Sequence, residues 1–134
     1  MESQATRLSE RVLYVDAHLN SCEMMRPLLG FSGYKVTTAN NVGEGQELAT
    51  KGRFDLIIIS DWFSDGTGVE LCRKIRGFDQ RTPIVFYSGL AGAADIRAGM
   101  SAGAQSYLVK PNIDSLEPTI SRLLNRCALA ASQR

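Results

Sequence analysis

Polar side chains at the ends of successive apolar runs are the residues of this sequence that could carry chemistry. They are Asp16, Ser60 with its neighbour Asp61, Ser88 and Lys110. Each is weak evidence alone, because an aspartate at a strand end usually caps the next helix and a Lys-Pro pair usually forms a turn. In open α/β sheets, however, ligands bind outside the carboxyl ends of the strands. Acidic, hydroxyl and amino groups at such ends could together bind a charged ligand.

The elements that must position these residues alternate along the chain. Five short, mostly apolar runs predict strands: Val12–Val15, Lys35–Thr38, Leu56–Ile59, Ile84–Tyr87 and Tyr107–Val109. Segments with helical spacing lie between and after them: Cys22–Leu29, Glu44–Thr50, Val69–Arg76, Ala94–Met100 and Leu116–Leu124. The runs lack strict alternation, which is typical of parallel strands covered on both faces. The sequence therefore predicts an α/β protein with a three-layer, doubly wound, five-stranded parallel sheet.

Composition limits the class of protein. The chain has 134 residues, 44% of them hydrophobic, which is enough for one domain with a full core. The formal charge is +1 and the basic residues are scattered, which argues against direct nucleic-acid binding. The three cysteines are widely spaced, which favours reduced thiols over a zinc site or a disulfide framework. No signal peptide or membrane-length apolar stretch is visible, so we expect a cytoplasmic domain that does not enter a membrane.

The expected domain covers residues 11–126. Polar residues dominate 1–10, and the segment 127–134 is small and polar, so both are predicted to be flexible ends.

The motifs around the third strand resemble the receiver domain of bacterial response regulators. The third apolar run is Asp55-Leu56-Ile57-Ile58-Ile59, and it is followed directly by Ser60-Asp61-Trp62. Two further motifs come later in the chain: Ser88-Gly89 and Tyr107-Leu108-Val109-Lys110-Pro111. The resemblance extends from Arg11 to Leu124. It implies a (βα)5, flavodoxin-like fold with strand order 2-1-3-4-5 and a signalling role in two-component phosphorelays rather than an enzyme activity. It also implies a sensor histidine kinase or an output protein as partner, and leaves homodimerisation open.

The resemblance assigns a role to each strand-end residue. Receivers accept a phosphoryl group on an aspartate at the end of the third strand, next to a magnesium ion held in part by an acidic pair after the first strand. Here that pair is Asp16-Ala17, so the second acid, usually a direct ligand, is a methyl group. The resemblance therefore implies weak magnesium binding or none. Ser88 matches the hydroxyl that bonds the phosphoryl group, and Lys110 matches the lysine that pairs with it.

The same resemblance makes Tyr107 the aromatic residue whose rotamer reports the switch. In a domain that does not switch, a simple structural role as a half-buried strand tyrosine would explain Tyr107 equally well.

The acceptor position has two readings. Family members carry an acid five positions before the acceptor, a glycine eight after it and a Glu ten after it. Counted from Asp55, these intervals favour Ser60, with Gly68 and Glu70 following. The triplet Ser60-Asp61-Trp62, shared with some chemotaxis receivers, favours Asp61 instead, which requires an insertion and a deletion nearby. A one-residue slip reverses the face that a strand side chain meets, so the readings exclude each other.

The preferred hypothesis is a degenerate receiver that acts by protein–protein contact without aspartyl phosphorylation. With Ser60 and Ala17 in the pocket, Lys110 is expected to lean toward Asp16 or Asp61 as an ion pair without metal. The alternative is a receiver phosphorylated on Asp61 by a histidine kinase, with Asp16 alone helping to hold magnesium. Asp61 is a further candidate metal ligand. An unrelated nucleotide-binding enzyme gains little support, because no glycine-rich phosphate loop follows the first strand.

Overall fold

Five parallel strands form one sheet at the centre of the protein. The computed structural model describes residues 10–132, with side chains as far as Cys127. The strands, in chain order, are β1 (Arg11–Val15), β2 (Lys35–Ala39), β3 (Leu56–Ile59), β4 (Ile84–Ser88) and β5 (Ser106–Val109). They pair in the order β2-β1-β3-β4-β5, which confirms the predicted topology. All β3 side chains are buried, because helices cover both faces of the central strands.

Helices pack on both faces of the sheet. In chain order they are α1 (Leu19–Gly30), α2 (Val42–Lys51), α3 (Gly68–Arg76), α4 (Ala93–Ser101) and α5 (Leu116–Ser132). Alternate strand residues therefore enter two separate cores. Tyr14 and Ile58 pack with side chains of α1 and α5. Leu13 and Ile57 pack with side chains of α2 and α3 on the opposite face.

Several details differ from the sequence prediction. Helix α1 runs through Pro27 and extends beyond the predicted Cys22–Leu29 at both ends. A short antiparallel pairing of Trp62–Phe63 with Gly66–Thr67, which was not predicted, follows β3. Helix α5 continues to Ser132, past the Arg126 boundary assigned from the sequence. The predicted flexible segment 1–10 lies, apart from Glu10, outside the described residues, as do positions 133–134.

The loop after β3 is tied down by hydrogen bonds to two helices. Thr67 caps α3 and forms a reciprocal capping box with Glu70. Asp65 accepts hydrogen bonds from the backbone N–H groups of Val42 and Gly43, at 2.8 and 2.9 Å, at the start of α2. These bonds lower the pKa of Asp65 because they favour its charged form. The loop that carries Asp61 is therefore held in one place relative to the sheet.

Candidate functional site at the carboxyl edge of the sheet

The strand register brings the predicted site residues to one edge. Val15 lies beside Ile59, and Ser88 lies beside Val109. Asp16, Ser60 and Lys110 each come one residue after these strand positions, so their side chains converge. We call Asp16, Ser60 and Lys110 together the Lys110 pocket.

Asp16 is fully buried and bonded at both carboxylate oxygens. Oδ2 accepts a hydrogen bond from the Tyr14 hydroxyl at 2.8 Å and pairs with Lys110 Nζ at 2.8 Å. Oδ1 accepts from the backbone N–H of His18 at 3.0 Å. Burial alone would raise the pKa of Asp16, but the hydrogen bonds from Lys110, His18 and Tyr14 outweigh it and lower that pKa. Asp16 is therefore a satisfied buried carboxylate, and the expected Lys110–Asp16 ion pair is present.

Ser60, not Asp61, is the residue after β3 whose side chain meets Lys110. The Ser60 side chain is buried, and its Oγ lies 3.3 Å from Lys110 Nζ. The same hydroxyl donates to Asp61 Oδ1 at 2.9 Å. Asp61 is half-buried on the outer side of the serine and forms no salt bridge with Lys110 among the described residues. The backbone packs closely here, since a Cβ at Gly68 would lie 2.0 Å from the Ser60 carbonyl oxygen.

Ser88 and Tyr107 meet on the loop that follows β4. The Ser88 side chain is buried and its Oγ accepts from the Leu90 N–H at 3.0 Å. The Tyr107 hydroxyl donates to the Leu90 carbonyl at 2.7 Å, and its ring stacks on Phe86 with centroids 5.5 Å apart. Burial raises the pKa of the Tyr107 hydroxyl, as do the nearby Asp95 and Asp61 carboxylates. A Cβ at Gly99 would lie 2.9 Å from the ring, so the glycine gives it room.

A cavity of about 190 Å³ opens beside this tyrosine. We call it the Tyr107 cavity. Aromatic rings, aliphatic groups, two hydroxyl-bearing residues and two acidic residues line it: Trp62, Phe86, Tyr107, Val69, Leu90, Ala98, Thr67, Ser88, Asp61 and Asp95. The Tyr107 cavity is thus separate from the Lys110 pocket but shares the loop after β3 with it.

A family model for the response regulator receiver domain matches residues 12–121. The chain belongs to this family. It is 32% identical over 117 residues to the response regulator MprA of Mycobacterium leprae, covering 87% of this chain and 51% of that protein. It is also 32% identical to ArlR of Staphylococcus aureus strain Mu50, covering 87% of this chain and 53% of that protein. The chain thus spans about half the length of these relatives, and 28% of the ZraR regulator of Klebsiella oxytoca.

Solved receiver structures share the fold. A CheY-like receiver domain from Methanospirillum hungatei superimposes with a TM-score of 0.87 at 26% identity, covering 91% of this chain and 98% of that chain. The response regulator TrrA of Thermotoga maritima, solved in complex with Mg²⁺ and BeF, has a TM-score of 0.78 at 27% identity, covering 85% of this chain and 98% of that one. The chain is therefore a receiver domain of two-component signalling with a flavodoxin-like sheet.

The side chains of this receiver do not fit a magnesium ion well. Magnesium requires near-octahedral oxygen ligation, usually with one or two carboxylates. Asp16 already accepts hydrogen bonds at both oxygens and holds the Lys110 ammonium, and Ala17 offers no ligand. Among the described residues, no group of three or more His, Cys, Asp or Glu side chains could hold a metal ion. A cation that bound Asp16 would have to displace Lys110 from its carboxylate.

Some contacts of the receiver site were not predicted. Tyr14 lies two residues before Asp16, so both side chains point to the same face of the strand, and this spacing could have indicated their hydrogen bond. The Ser60–Asp61 hydrogen bond joins the two residues that are the alternative candidates for the phosphoacceptor position. The His18 side chain is 79% exposed, and its Nδ1 lies 3.3 Å from Asp16 Oδ1. In the described part of the chain no helix is long and apolar enough to cross a membrane.

Proposed function

We propose that this receiver is a cytoplasmic docking module of a two-component pathway that signals through protein–protein contact without aspartyl phosphorylation. The observation that carries the proposal is the environment of Lys110. Its Nζ lies 2.8 Å from Asp16 and 3.3 Å from the Ser60 hydroxyl. The side chain nearest this lysine after β3 is therefore an alcohol, which does not form an acyl phosphate.

The residues at the expected magnesium site support the same proposal. The phosphoryl-transfer chemistry of receivers depends on a divalent ion that offsets developing charge. With Ala17 in place of the second acid and Asp16 bound to Lys110, we propose that the chain binds magnesium weakly or not at all.

The proposed docking face consists of α4, β5 and α5. Strand β5 is at the edge of the sheet, and its residues are half-buried. Helix α4 buries only Gly99 fully, while Met100 at its carboxyl end is 42% exposed. The partner we propose for this face is a sensor kinase or an output protein.

A phosphodonor assay tests the proposal. The full chain is incubated with magnesium and a small acyl phosphate, and its intact mass is then measured. We expect no phosphoryl adduct on the unaltered chain. The Ala17→Asp/Ser60→Asp variant restores the two missing carboxylates and serves as the positive control. An adduct on the unaltered chain that disappears in Asp61→Asn would favour the alternative, a receiver phosphorylated on Asp61.

A further inference from the structure

The Tyr107 cavity has the size of a site for one side chain. Pockets for drug-sized ligands usually measure about 300–1,000 Å³. The Tyr107 cavity, at about 190 Å³, is smaller than this range. It is open to solvent beside Trp62, which is 64% exposed, and Leu90, which is 39% exposed. A partner side chain could therefore enter it without displacing the core.

The charges around the cavity are of one sign. Asp61 and Asp95 both line it, and both carboxylates act on the Tyr107 hydroxyl from nearby. Asp61 accepts a hydrogen bond from Ser60, and Asp95 accepts one from the Gly92 N–H. Neither carboxylate forms a salt bridge with any described residue, and no cationic side chain lines the cavity. The space is therefore complementary to a positive charge.

The aromatic and aliphatic residues of the lining favour a guanidinium group over an ammonium group. Phe86, Tyr107 and Trp62 supply aromatic rings, and Val69 and Ala98 supply aliphatic surface. A guanidinium group is planar, stacks on aromatic faces and pairs with carboxylates through several N–H donors. An ammonium group is compact and strongly hydrated, so it gains less from a partly apolar space.

We propose that the Tyr107 cavity binds an arginine side chain presented by a partner protein. The guanidinium group contacts Asp61 and Asp95 and stacks on the aromatic lining. This inference rests on the proposed docking function, since it names the chemistry by which a partner is recognised. It also gives Asp61 a role that needs no phosphate, because its carboxylate would bind the cationic side chain of the partner.

The test uses the full ¹⁵N-labelled chain and acetyl-arginine methylamide as the probe, followed by NMR and by fluorescence of Trp62, the only tryptophan. We expect saturable shifts at Leu90, Gly99 and Tyr107, with a Kd of about 1–10 mM for so small a ligand. The citrulline analogue, which is uncharged and nearly the same shape, should bind several times more weakly. Equal binding of arginine and citrulline, or shifts confined to other surfaces, would overturn the proposal.

Variants of the lining provide a second readout. Asp61→Asn and Asp95→Asn keep their hydrogen-bond acceptors but remove the charge, and each should weaken arginine binding about threefold. Ala98→Leu fills the cavity and should abolish binding. Ala94→Leu is its matched control, because Ala94 is exposed on the same helix and does not line the cavity. Equal loss of binding in both leucine variants would also contradict the proposal. So would equal affinity for Nα-acetyl-lysine methylamide, whose side-chain ammonium is free.

The two proposals fail separately. A phosphoryl adduct on the unaltered chain would refute the proposed function, whatever the probe does. Absence of arginine binding in a chain that takes no phosphate would refute only the arginine site.

Discussion

The Lys110 pocket and the Tyr107 cavity lie on either side of Asp61, yet they are built differently. In the Lys110 pocket, a fully buried carboxylate, a buried hydroxyl and a lysine satisfy one another. In the Tyr107 cavity, aromatic and aliphatic side chains enclose open space next to two carboxylates that form no salt bridge with any described residue. Under the proposed function, the Lys110 pocket lacks carboxylates that receivers use for phosphoryl transfer, whereas the Ser88 hydroxyl and Tyr107 line the second region. If the proposed function holds, this receiver takes no phosphoryl group at the Lys110 pocket and still presents the Tyr107 cavity to a partner.

The difference predicts where substitutions affect stability. Contacts in the Lys110 pocket should stabilise the fold, whereas changes in the Tyr107 cavity should alter binding more than stability.

Lys110→Ala should have the largest effect. It leaves the fully buried Asp16 without its cation, and breaking a buried ion pair costs about 3–5 kcal/mol. Because the Lys110 side chain is 24% exposed, we expect about 2 kcal/mol, measured by urea unfolding. Lys51→Ala removes an exposed ion pair with Glu47 and is the control, with no measurable loss expected. Equal losses in the two variants would mean that the Lys110 pocket has no special role in stability.

Tyr14→Phe should have the next largest effect. It deletes the hydroxyl that donates to Asp16 at 2.8 Å, and a hydrogen bond to a charged group contributes about 1.5–3 kcal/mol. We expect about 1.5 kcal/mol, because Asp16 keeps its bonds to Lys110 and His18. Tyr87→Phe provides the comparison, since the described hydrogen bonds of the protein include none from the Tyr87 hydroxyl. A larger loss in Tyr87→Phe would contradict the assigned bond network.

Gly99→Ala tests the Tyr107 cavity. The new Cβ would lie 2.9 Å from the Tyr107 ring, so the ring must move. Overpacking costs about 1–3 kcal/mol, and alanine regains about 1 kcal/mol of helix propensity, so we expect a net loss near 1 kcal/mol. Chemical shifts of Tyr107 and Leu90 should change strongly. Gly43→Ala in α2, where a Cβ meets only ordinary contacts at 3.5 Å, should leave both shifts unchanged.

Acid should weaken the Lys110 pocket. The folded pKa of Asp16 lies below its ordinary value of 3.8, so the unfolded chain binds this proton first as the pH falls. The stability from Asp16 is therefore fully present above about pH 4 and is lost below it, as the pH falls through the folded pKa. Thermal unfolding between pH 5 and pH 2.5 should show a smaller acid-dependent loss in Asp16→Asn than in the unaltered chain. Equal falls in the unfolding temperature of the two proteins over this pH range would show that Asp16 does not contribute to the acid-dependent stability.

The fold was predictable because its strongest signals are local. The five strands of the sheet coincide with the five mostly apolar runs of the sequence. The two-residue strands around Ser64 were missed because so short a pairing has no periodicity. The end of α5 was placed too early, since the Ala-rich segment after Arg126 was read as a polar tail although alanine favours helix.

The site was predictable only in part. The intervals from Asp55, Gly68 and Glu70 indicated Ser60 by comparison with the family. Strand ends indicated Asp16, Ser88 and Lys110. The direction of the Asp61 side chain depends on how the loop closes over Gly68, and the Tyr107 cavity depends on how α4 packs against β5. Neither packing arrangement leaves a pattern in the sequence.

A magnesium titration followed by Trp62 fluorescence tests the central claim most directly, because Trp62 lies two residues after Ser60 and is exposed. We expect no saturable response of the unaltered chain at low millimolar magnesium, and a saturable one in Ala17→Asp/Ser60→Asp. Saturation of the unaltered chain in the same range, lost in Asp61→Asn, would show that this receiver keeps a working metal site.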